Sequence, residues 1–169
     1  LFMLVLSTMM LPGIVLLIPH FQIFKWLDLL DTYWPLIIPS FFGSPFYIFL
    51  LRQFFRTIPK ELSEAARIDG CTEFGIFFKI ILPLSKPALA TIAIFTFMSV
   101  WNDLMGPLIY LFDMDKFTLA LGLSTFKSEH TSKWHLLMAS SVIMVIPVII
   151  LFFTCQRFFI KGITMTGMK

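Results

Sequence analysis

The stretch EAARIDGCTEFGIFFKIILP, residues 64–83, lies in the one long charged segment of a chain that is otherwise strongly apolar. The chain has 169 residues, of which 58% are hydrophobic and 14% are charged, and its mean hydropathy is +0.89. This composition is typical of a membrane protein, because the surface helices of a soluble domain need a polar face. We interpret the stretch as a polar island between membrane spans.

Four apolar windows flank this island, and each is long enough for a helix to cross a hydrocarbon core of about 30 Å. The windows cover residues 1–24, 32–51, 87–112 and 134–156. The only Asp, Glu, Lys or Arg within them is Asp103, in the third window. We therefore predict an all-α polytopic helical bundle, with spans at about residues 3–19, 34–55, 88–111 and 136–158.

Helix-breaking residues mark three of these spans. In the first span, Pro12 and Gly13 predict a kink or a break, and we expect the helix to end near Pro19. In the fourth span, Pro147 predicts a kink. Lipid tolerates several breakers only where neighbouring helices or water satisfy the backbone, so we expect the second span to pack inside the bundle. Its breakers are Pro35, Pro39, Gly43 and Pro45.

The distribution of basic residues predicts the orientation of the spans. Of 13 Lys and Arg residues, six lie from Arg52 to Lys86 and three in the tail after the fourth span. The remaining four lie in the two other loops. The more basic side is expected to be cytoplasmic, which places the polar island there. Acidic residues are interleaved with the basic ones in the island, which argues against a nucleic-acid-binding patch.

Helix signals divide the polar island into two short helices. Pro59 fits a first-turn position and Gly70 fits the residue just past a helix C-terminus, which predicts a helix over residues 60–69. Residues at helical spacing on one face of this helix are Leu62, Ala65, Ala66 and Asp69. The two alanines would let another surface approach this face closely. A docking helix and an amphipathic loop on the lipid headgroups are both compatible with this pattern.

The second short helix is predicted to begin after Thr72, a possible N-cap, and to stop at Pro83. Its apolar residues recur at helical spacing and form one largely aromatic face. They are Phe74, Phe77, Phe78 and Ile81. We expect this face to hold the two helices against the ends of the spans.

The third span contains a polar interruption, WNDLMGP, at residues 101–107. A carboxylate within a membrane span is costly unless it faces water or a partner, and such a residue is a candidate for function. The candidates for lining a translocation pathway are Trp101, Asn102, Asp103 and Pro107. A structural, hydrogen-bonding role for the Asn102–Asp103 pair is the alternative that the sequence favours.

The remaining loops and cysteines indicate neither a metal site nor a cofactor. In the outer loop, residues 113–134, alternate apolar residues predict partial burial or a docking element; they are Phe117, Leu119, Leu121 and Leu123. Glu129, His130 and His135 lack the spacing of a metal site and fit solvated loop residues. Cys71 and Cys155 are not in a CxxC motif, so we expect two free thiols.

The polar island also resembles a known family. Glu64-Ala65-Ala66, three residues, Gly70, nine residues and Ile80-x-Leu82-Pro83 match, at every fixed position, the EAA motif of permease subunits of binding-protein-dependent ATP-binding-cassette importers. The stretches STMMLPGIVLLIP, VWNDLMGPLIYL and QRFFIKGITMTGMK are similar to the carbohydrate branch, of the maltose and glycerol-3-phosphate type. The resemblance covers essentially the whole chain. The last four residues, TGMK, depart from the usual ending of that family.

The resemblance implies one transmembrane domain over residues 1–169, truncated at its N-terminus because such permeases usually have six spans. It implies that residues 57–86 form a loop that couples to the ATPase through Glu64, Ala65, Ala66, Asp69, Gly70, Ile80, Leu82 and Pro83. The implied partners are ATP-binding-cassette ATPase subunits, a second permease subunit, an extracytoplasmic sugar-binding protein and membrane lipid. The implied location is a bacterial or archaeal cytoplasmic membrane.

The resemblance places ATP hydrolysis in a separate subunit, and the chain carries no phosphate-binding Gly-rich motif with Lys-Ser/Thr, so we do not expect an enzyme. The alternatives are a permease for glycerol-3-phosphate or another polyol-like solute, a membrane-embedded enzyme that uses Asp103 or the loop histidines, and a scaffold whose polar helix binds another partner. An HExxH motif or a pair of carboxylates in a span would favour the enzyme alternative, and the sequence contains neither.

Overall fold

The computed structural model describes the backbone of residues 2–126 and 134–164, and side chains as far as residue 155. Every regular element in these residues is a helix. By length and composition, Trp34–Phe55 and Trp134–Cys155 are each able to cross a membrane. Two bent helix pairs, Phe2–Met10 with Gly13–Trp26 and Glu73–Leu84 with Lys86–Trp101, bring the possible spans to four. The all-α membrane fold is thereby confirmed.

The first span is broken, as predicted, at Pro12 and Gly13. Helix α1 (Phe2–Ser7) ends in a 3-10 turn, and α2 (Gly13–Trp26) leaves it at 98°. The predicted end near Pro19 is wrong, because α2 continues through this proline to Trp26. Proline removes only one hydrogen bond, and packing beyond it supports the helix. The ring of Phe24, 5% exposed, meets Tyr110 edge-on with the centroids 5.6 Å apart.

The second span comprises α3 (Trp34–Ile37), a 3-10 turn (Ile38–Phe42) and α4 (Pro45–Phe55), with Gly43 at a φ of 76° between the last two. Helix α4 has the packed position that we predicted for this span, whereas the 3-10 turn before it does not. Phe41 and Phe42 are 82% and 83% exposed. Helix α4 packs on α1 and on the third-span helix.

The polar island forms α5 (Lys60–Ile68), α6 (Glu73–Ile76), a π-helical turn (Phe77–Ile81) and α7 (Leu82–Leu84). The predicted stop of the second helix at Pro83 is wrong by one residue, because the helix ends at Leu84. The N–H of Leu82 donates to the carbonyl of Phe77, five residues back, and this wider turn accommodates the following proline. The chain bends instead at Ser85, by 68°, before α8 (Lys86–Trp101) begins.

Ser85 is the pivot of this bend and is fully buried. Its Oγ donates to the carbonyl of Ile81 at 2.7 Å, and its N–H donates to the carbonyls of Ile81 and Leu82. A serine that hydrogen-bonds four residues back in this way favours a bent helix. The polar island is therefore joined to the third span through a compact, internally bonded corner.

The third span is shorter than predicted. Helix α8 ends at Trp101, and α9 (Met105–Tyr110) follows after a turn, so the predicted continuation to residue 111 is wrong.

Helix α10 (Leu119–Thr125) then precedes the long α11 (Trp134–Thr164), which runs through Pro147 without a break and packs along α8. The indole Nε1 of Trp101 donates to the carbonyl of Met144 at 3.0 Å and joins these two helices.

Among the side chains that the structure describes, few form an internal core and most of the large apolar ones face outward. The buried hydrophobic residues are Phe24, Ala66, Ile76, Ala88, Tyr110, Leu111 and Leu121. Leu121 is 2% exposed, which confirms the predicted partial burial of the outer loop. Glu129 and His130 lie outside the described residues, whereas His135 is exposed at the start of α11.

Candidate functional site

The two helices of the polar island are joined by a closed turn. Gly70 has a φ of 79°, and its N–H donates to the carbonyl of Arg67 at 3.0 Å. The N–H of Cys71 donates to the carbonyl of Ala66 at 2.9 Å. These two bonds form a Schellman motif, which satisfies the last carbonyls of α5 and requires a left-handed residue. The structure thus confirms that Gly70 lies just past the helix, after Asp69 as its C-cap.

The structure also defines the residue that precedes each of the two helices. Pro59 adopts an extended conformation and precedes the first helical residue, Lys60, so its predicted first-turn position is wrong by one residue. Thr72 is the N-cap of α6, as predicted, and its Oγ1 accepts the N–H of Gly75 at 3.2 Å. The turn between the helices is therefore fixed at both ends by hydrogen bonds that its own residues supply.

An ion pair crosses this turn, and it was not predicted from the sequence. The guanidinium of Arg67 donates to both carboxylate oxygens of Glu73, at 2.6 and 3.2 Å. This bond raises the pKa of Arg67 further above its usual value. Both side chains are exposed, so the pair contributes geometric definition more than stability. The sequence contained one signal for this ion pair, because Arg67 and Glu73 carry opposite charges and lie on either side of Gly70.

The two alanines of the motif do not share an exposed face, contrary to the prediction. Ala66 is 6% exposed and is buried within the chain, whereas Ala65 is exposed. The side chain of Ile68 is 87% exposed and was not predicted as a contact residue. The outward surface of α5 is formed by Leu62, Glu64, Ala65, Ile68 and Asp69. We refer to these five residues as the outward surface of α5.

The aromatic residues of the second helix also point away from the chain. Phe74 is 79% exposed and Phe78 is 60% exposed, so the prediction that they hold the helices against the spans is wrong. Ile76, only 3% exposed, makes the inward contact instead. Ile80 and Leu82 are half-buried, and Pro83 is exposed.

A cavity of about 310 Å³ lies beneath the polar island. It separates part of α5 from the end of α4, and it contains charged side chains of both signs. Its lining residues are Phe55, Ile58, Pro59, Lys60, Ser63, Glu64, Arg67 and Ile81. The polar island therefore has an outward surface and an inner cleft, and the exposed residue Glu64 belongs to both.

Polar side chains in the interruption of the third span form hydrogen bonds at the ends of helices. The Asn102 side-chain amide donates to the carbonyl of Met98 at 2.8 Å. Asp103 Oδ1 accepts the N–H of Gly106 at 3.2 Å, in the first turn of α9. These contacts support the structural interpretation of the Asn102–Asp103 pair. Pro107 is buried, and Trp101 is half-buried against α11.

A hydrogen-bonded junction on the opposite side of the chain was not predicted. Asp31 has a φ of 56°, and its N–H donates to the carbonyl of Tyr110 at 2.8 Å. Its Oδ1 accepts the N–H groups of Phe112 and Asp113 at 2.9 and 3.0 Å, and its Oδ2 accepts Lys116 Nζ at 2.6 Å. Asp31 thus ties the loop before the second span to the loop after α9.

The Lys116 ammonium, with the two backbone N–H groups, lowers the pKa of Asp31 to about 2. A carboxylate with a lowered pKa stabilises the fold above its unfolded-state pKa of 3.8, and this contribution is lost as the pH falls towards 2. We expect Asp31→Asn to lower the melting temperature at neutral pH, with the difference from wild type vanishing between pH 4 and pH 2. Thermal unfolding measured across this pH range checks the prediction.

Asp28→Asn is the matched control for this prediction. Asp28 also has a positive φ, of 53°, and among the described residues its side chain takes part in no hydrogen bond or ion pair. Asparagine tolerates the same backbone conformation, so both variants change only the carboxylate. Equal pH profiles for Asp31→Asn and the wild type would contradict a stabilising role for the junction.

Among the described residues, no group of three or more His, Cys, Asp or Glu side chains could hold a metal ion. Cys71 and Cys155 are both free thiols of intermediate exposure, as predicted.

Residues 1–165 match the family described as binding-protein-dependent transport system inner membrane component. The chain is 45% identical, over 168 residues, to the arabinooligosaccharides transport system permease protein AraQ of Halalkalibacterium halodurans, covering 99% of this chain and 60% of that protein. It is 37% identical, over 164 residues, to the sn-glycerol-3-phosphate transport system permease protein UgpE of Shigella flexneri, covering 96% of this chain and 58% of that protein.

A solved structure is also similar, the crystal structure of a bacterial ABC transporter involved in the import of the acidic polysaccharide alginate. The TM-score is 0.79 at 30% identity, over 94% of this chain and 60% of the matched chain. The chain thus spans about 60% of the length of the proteins it matches. Together, the matches confirm the predicted resemblance and a multi-pass membrane location.

Proposed function

This chain belongs to the binding-protein-dependent transport system inner membrane component family, and from that premise we propose that it is the permease subunit of an ATP-driven importer for a sugar. It forms part of the translocation pathway across the cytoplasmic membrane and hydrolyses no ATP itself. The observation that carries this proposal is the closed helix-turn-helix of residues 60–84 on the basic side of the chain. Its partners are ATP-binding-cassette ATPase subunits, a second permease subunit and an extracytoplasmic binding protein.

In this proposal residues 57–86 are the coupling loop of a single transmembrane domain. The Schellman bonds, the Thr72 cap and the Arg67–Glu73 pair make α5 and α6 one rigid unit. A rigid unit transmits a displacement without absorbing it, which suits coupling by rigid-body movement. The buried corner at Ser85 passes that displacement to α8.

The partner contact belongs to the outward surface of α5. Glu64, Ala65 and Asp69 are exposed and free to meet an ATPase subunit. Ala66 supports this surface from inside, since it is buried and its carbonyl closes the turn with Cys71. Gly70 supplies the left-handed turn. Ile80, Leu82 and Pro83 lie in or next to the π-helical turn and carry the connection to the span.

For the pathway, we propose a direct role for Asn102 alone among the four candidates. Its side chain is exposed, although its amide also caps α8. Trp101, Asp103 and Pro107 act indirectly, because they hold α8, α9 and α11 in position. Uptake by Asn102→Ala, compared with Asp103→Ala, which removes the acceptor of the Gly106 N–H, separates these roles: the first changes substrate KM and the second lowers stability.

We expect a cysteine at Ile68 to form a disulfide with a cysteine in the ATPase subunit when the full-length importer is oxidised. Ile68 is 87% exposed on the outward surface of α5, so its side chain reaches the partner directly. The background replaces Cys71 and Cys155 with serine, and gel mobility under non-reducing conditions reports the cross-link.

Two matched cysteines control this experiment. A cysteine at Met114, which is 78% exposed near the Asp31 junction, should give no product with the ATPase, and neither should one at the buried Ala66. The coupling role would be overturned by the absence of any cross-link from Leu62, Ala65 or Ile68, together with normal uptake by Glu64→Lys.

The substrate class is supported by similarity to permeases named for arabinooligosaccharide and for glycerol-3-phosphate transport. The higher identity to the first favours a neutral sugar, and the second keeps a glycerol-3-phosphate or polyol-like solute as the alternative. Uptake of labelled arabinotriose and of labelled glycerol-3-phosphate by cells that contain or lack this subunit distinguishes the two substrates.

A further inference from the structure

The Asp31 junction borders a cavity of about 410 Å³ that the proposed coupling role does not use. Tyr33 and Trp34 expose 49% and 54% of their surfaces. The full lining is Asp31, Thr32, Tyr33, Trp34, Ile37 and Lys116. Trp34 and Phe55 are the two ends of one membrane-crossing segment, and α5 follows Phe55. The cavity therefore lies at the end of the span away from the coupling loop, where a solute from outside would arrive.

The charges of this cavity are already paired. The Asp31 carboxylate accepts three N–H donors, one of them from Lys116 Nζ. Lys116 Nζ also lies 3.7 Å from the carboxylate of Asp113. An anionic ligand would have to compete with two carboxylates for this one ammonium group. A neutral ligand with hydroxyl groups can instead accept a free ammonium N–H and leave both ion pairs in place.

The aromatic residues supply the other half of a recognition surface. Small-ligand sites are concave, mostly apolar and lined by aromatic rings with a few convergent polar groups. A sugar ring has an apolar face of C–H groups that lies flat on an indole, and hydroxyls at its edge. Trp34 provides the flat surface, its Nε1–H and the Tyr33 hydroxyl are polar handles, and Lys116 is the charged donor.

We propose that this cavity is an outer saccharide subsite, in which one sugar ring of an incoming neutral oligosaccharide stacks on Trp34. The inference rests on the proposed function as a sugar importer. The subsite holds the substrate at the mouth of the pathway before it passes between the spans. Asp31 is a positioning residue, because its carboxylate is fully occupied in holding Lys116 and the loop after α9.

Uptake kinetics of the full-length importer, reconstituted with its partner subunits and binding protein, test this subsite. Trp34→Ala should raise the KM for arabinotriose about threefold to tenfold, the effect of losing one aromatic contact, with little change in kcat. Trp34→Phe should restore most of the loss. Phe41→Ala is the matched control: Phe41 is 82% exposed in the same span but does not line the cavity, so its KM should stay at the wild-type value.

Saturation-transfer NMR on the same assembly without binding protein reports contact directly. Arabinotriose should receive saturation from the wild type and much less from Trp34→Ala. A wild-type KM in Trp34→Ala, or equal changes in Trp34→Ala and Phe41→Ala, would overturn the subsite while sugar uptake itself stands. If glycerol-3-phosphate receives saturation and arabinotriose does not, the assignment of a neutral ligand is overturned. Uptake of neither compound by the wild type would instead contradict the proposed function.

Discussion

Gly70→Val is expected to abolish most ATP-driven uptake, whereas Gly70→Asn should leave uptake close to the wild-type rate. Gly70 has a φ of 79°, and a Cβ there would meet nothing within 4 Å. The penalty is therefore one of backbone conformation alone, about 1–2 kcal/mol for an ordinary residue in the left-handed region and more for a β-branched one. Asparagine adopts this conformation far more readily than valine.

The valine variant can relieve its strain only by opening the Schellman turn. Both closing bonds, to Ala66 and Arg67, would then be lost, and α5 would no longer move together with α6. Uptake and substrate-stimulated ATP hydrolysis by the assembled importer should fall together, with the subunits still present in the membrane. Gly70→Ala should lie between the two variants. Wild-type uptake by Gly70→Val would contradict the proposal that transport needs a rigid turn.

The features that could be predicted from sequence are local ones. The left-handed turn at Gly70, the Thr72 cap and the break at Pro12 and Gly13 each depend on residues within one helical turn. Such signals are contained in short stretches of sequence because the hydrogen bonds that satisfy them are short-range. The apolar windows also sufficed for an all-α membrane fold, since a chain in lipid has few other ways to satisfy its backbone.

The features that could not be predicted depend on distant residues or on rotation about a helix axis. Asp31 bonds to groups more than 80 positions away, at Phe112, Asp113 and Lys116. An aspartate in a short polar loop gives no sign of such partners. Ala65 and Ala66 differ by about 100° around the helix. Which of them faces inward depends on how α5 packs on the rest of the chain, and periodicity alone does not contain that information.

Prolines were misjudged for a related reason. Pro19 lies within a helix that continues for seven more residues, to Trp26, and the helix that contains Pro83 ends one residue after it, at Leu84. A missing N–H costs one hydrogen bond, and a ring clash can be relieved by a wider turn, as at Phe77–Ile81 before Pro83. Where packing or membrane insertion favours a continuous helix, these local costs are outweighed. Proline therefore predicts a distortion more reliably than it predicts an end.

Gly106→Ala is expected to destabilise the permease by about 1–3 kcal/mol, the range for overpacking a tight contact. A Cβ at this position would lie 2.5 Å from Asp103 Oδ2 and 3.0 Å from Leu36 Cδ2. To make room, the carboxylate must rotate away and give up its bond to the Gly106 N–H, or α3 must move off α9. A lower melting temperature of the purified full-length subunit measures the loss.

Gly122→Ala is the matched control, because Gly122 lies in helix α10 and a Cβ there would meet nothing within 4 Å. Alanine is favoured over glycine in a helix by about 1 kcal/mol, so this variant should be as stable as the wild type or more stable. If Gly106→Ala lowers the melting temperature and Gly122→Ala raises it, the destabilisation comes from the contact between Asp103, Gly106 and Leu36. Equal melting temperatures for Gly106→Ala and the wild type would instead mean that this contact yields without cost. Asp103 would then be free of its capping role and open again to one in the pathway.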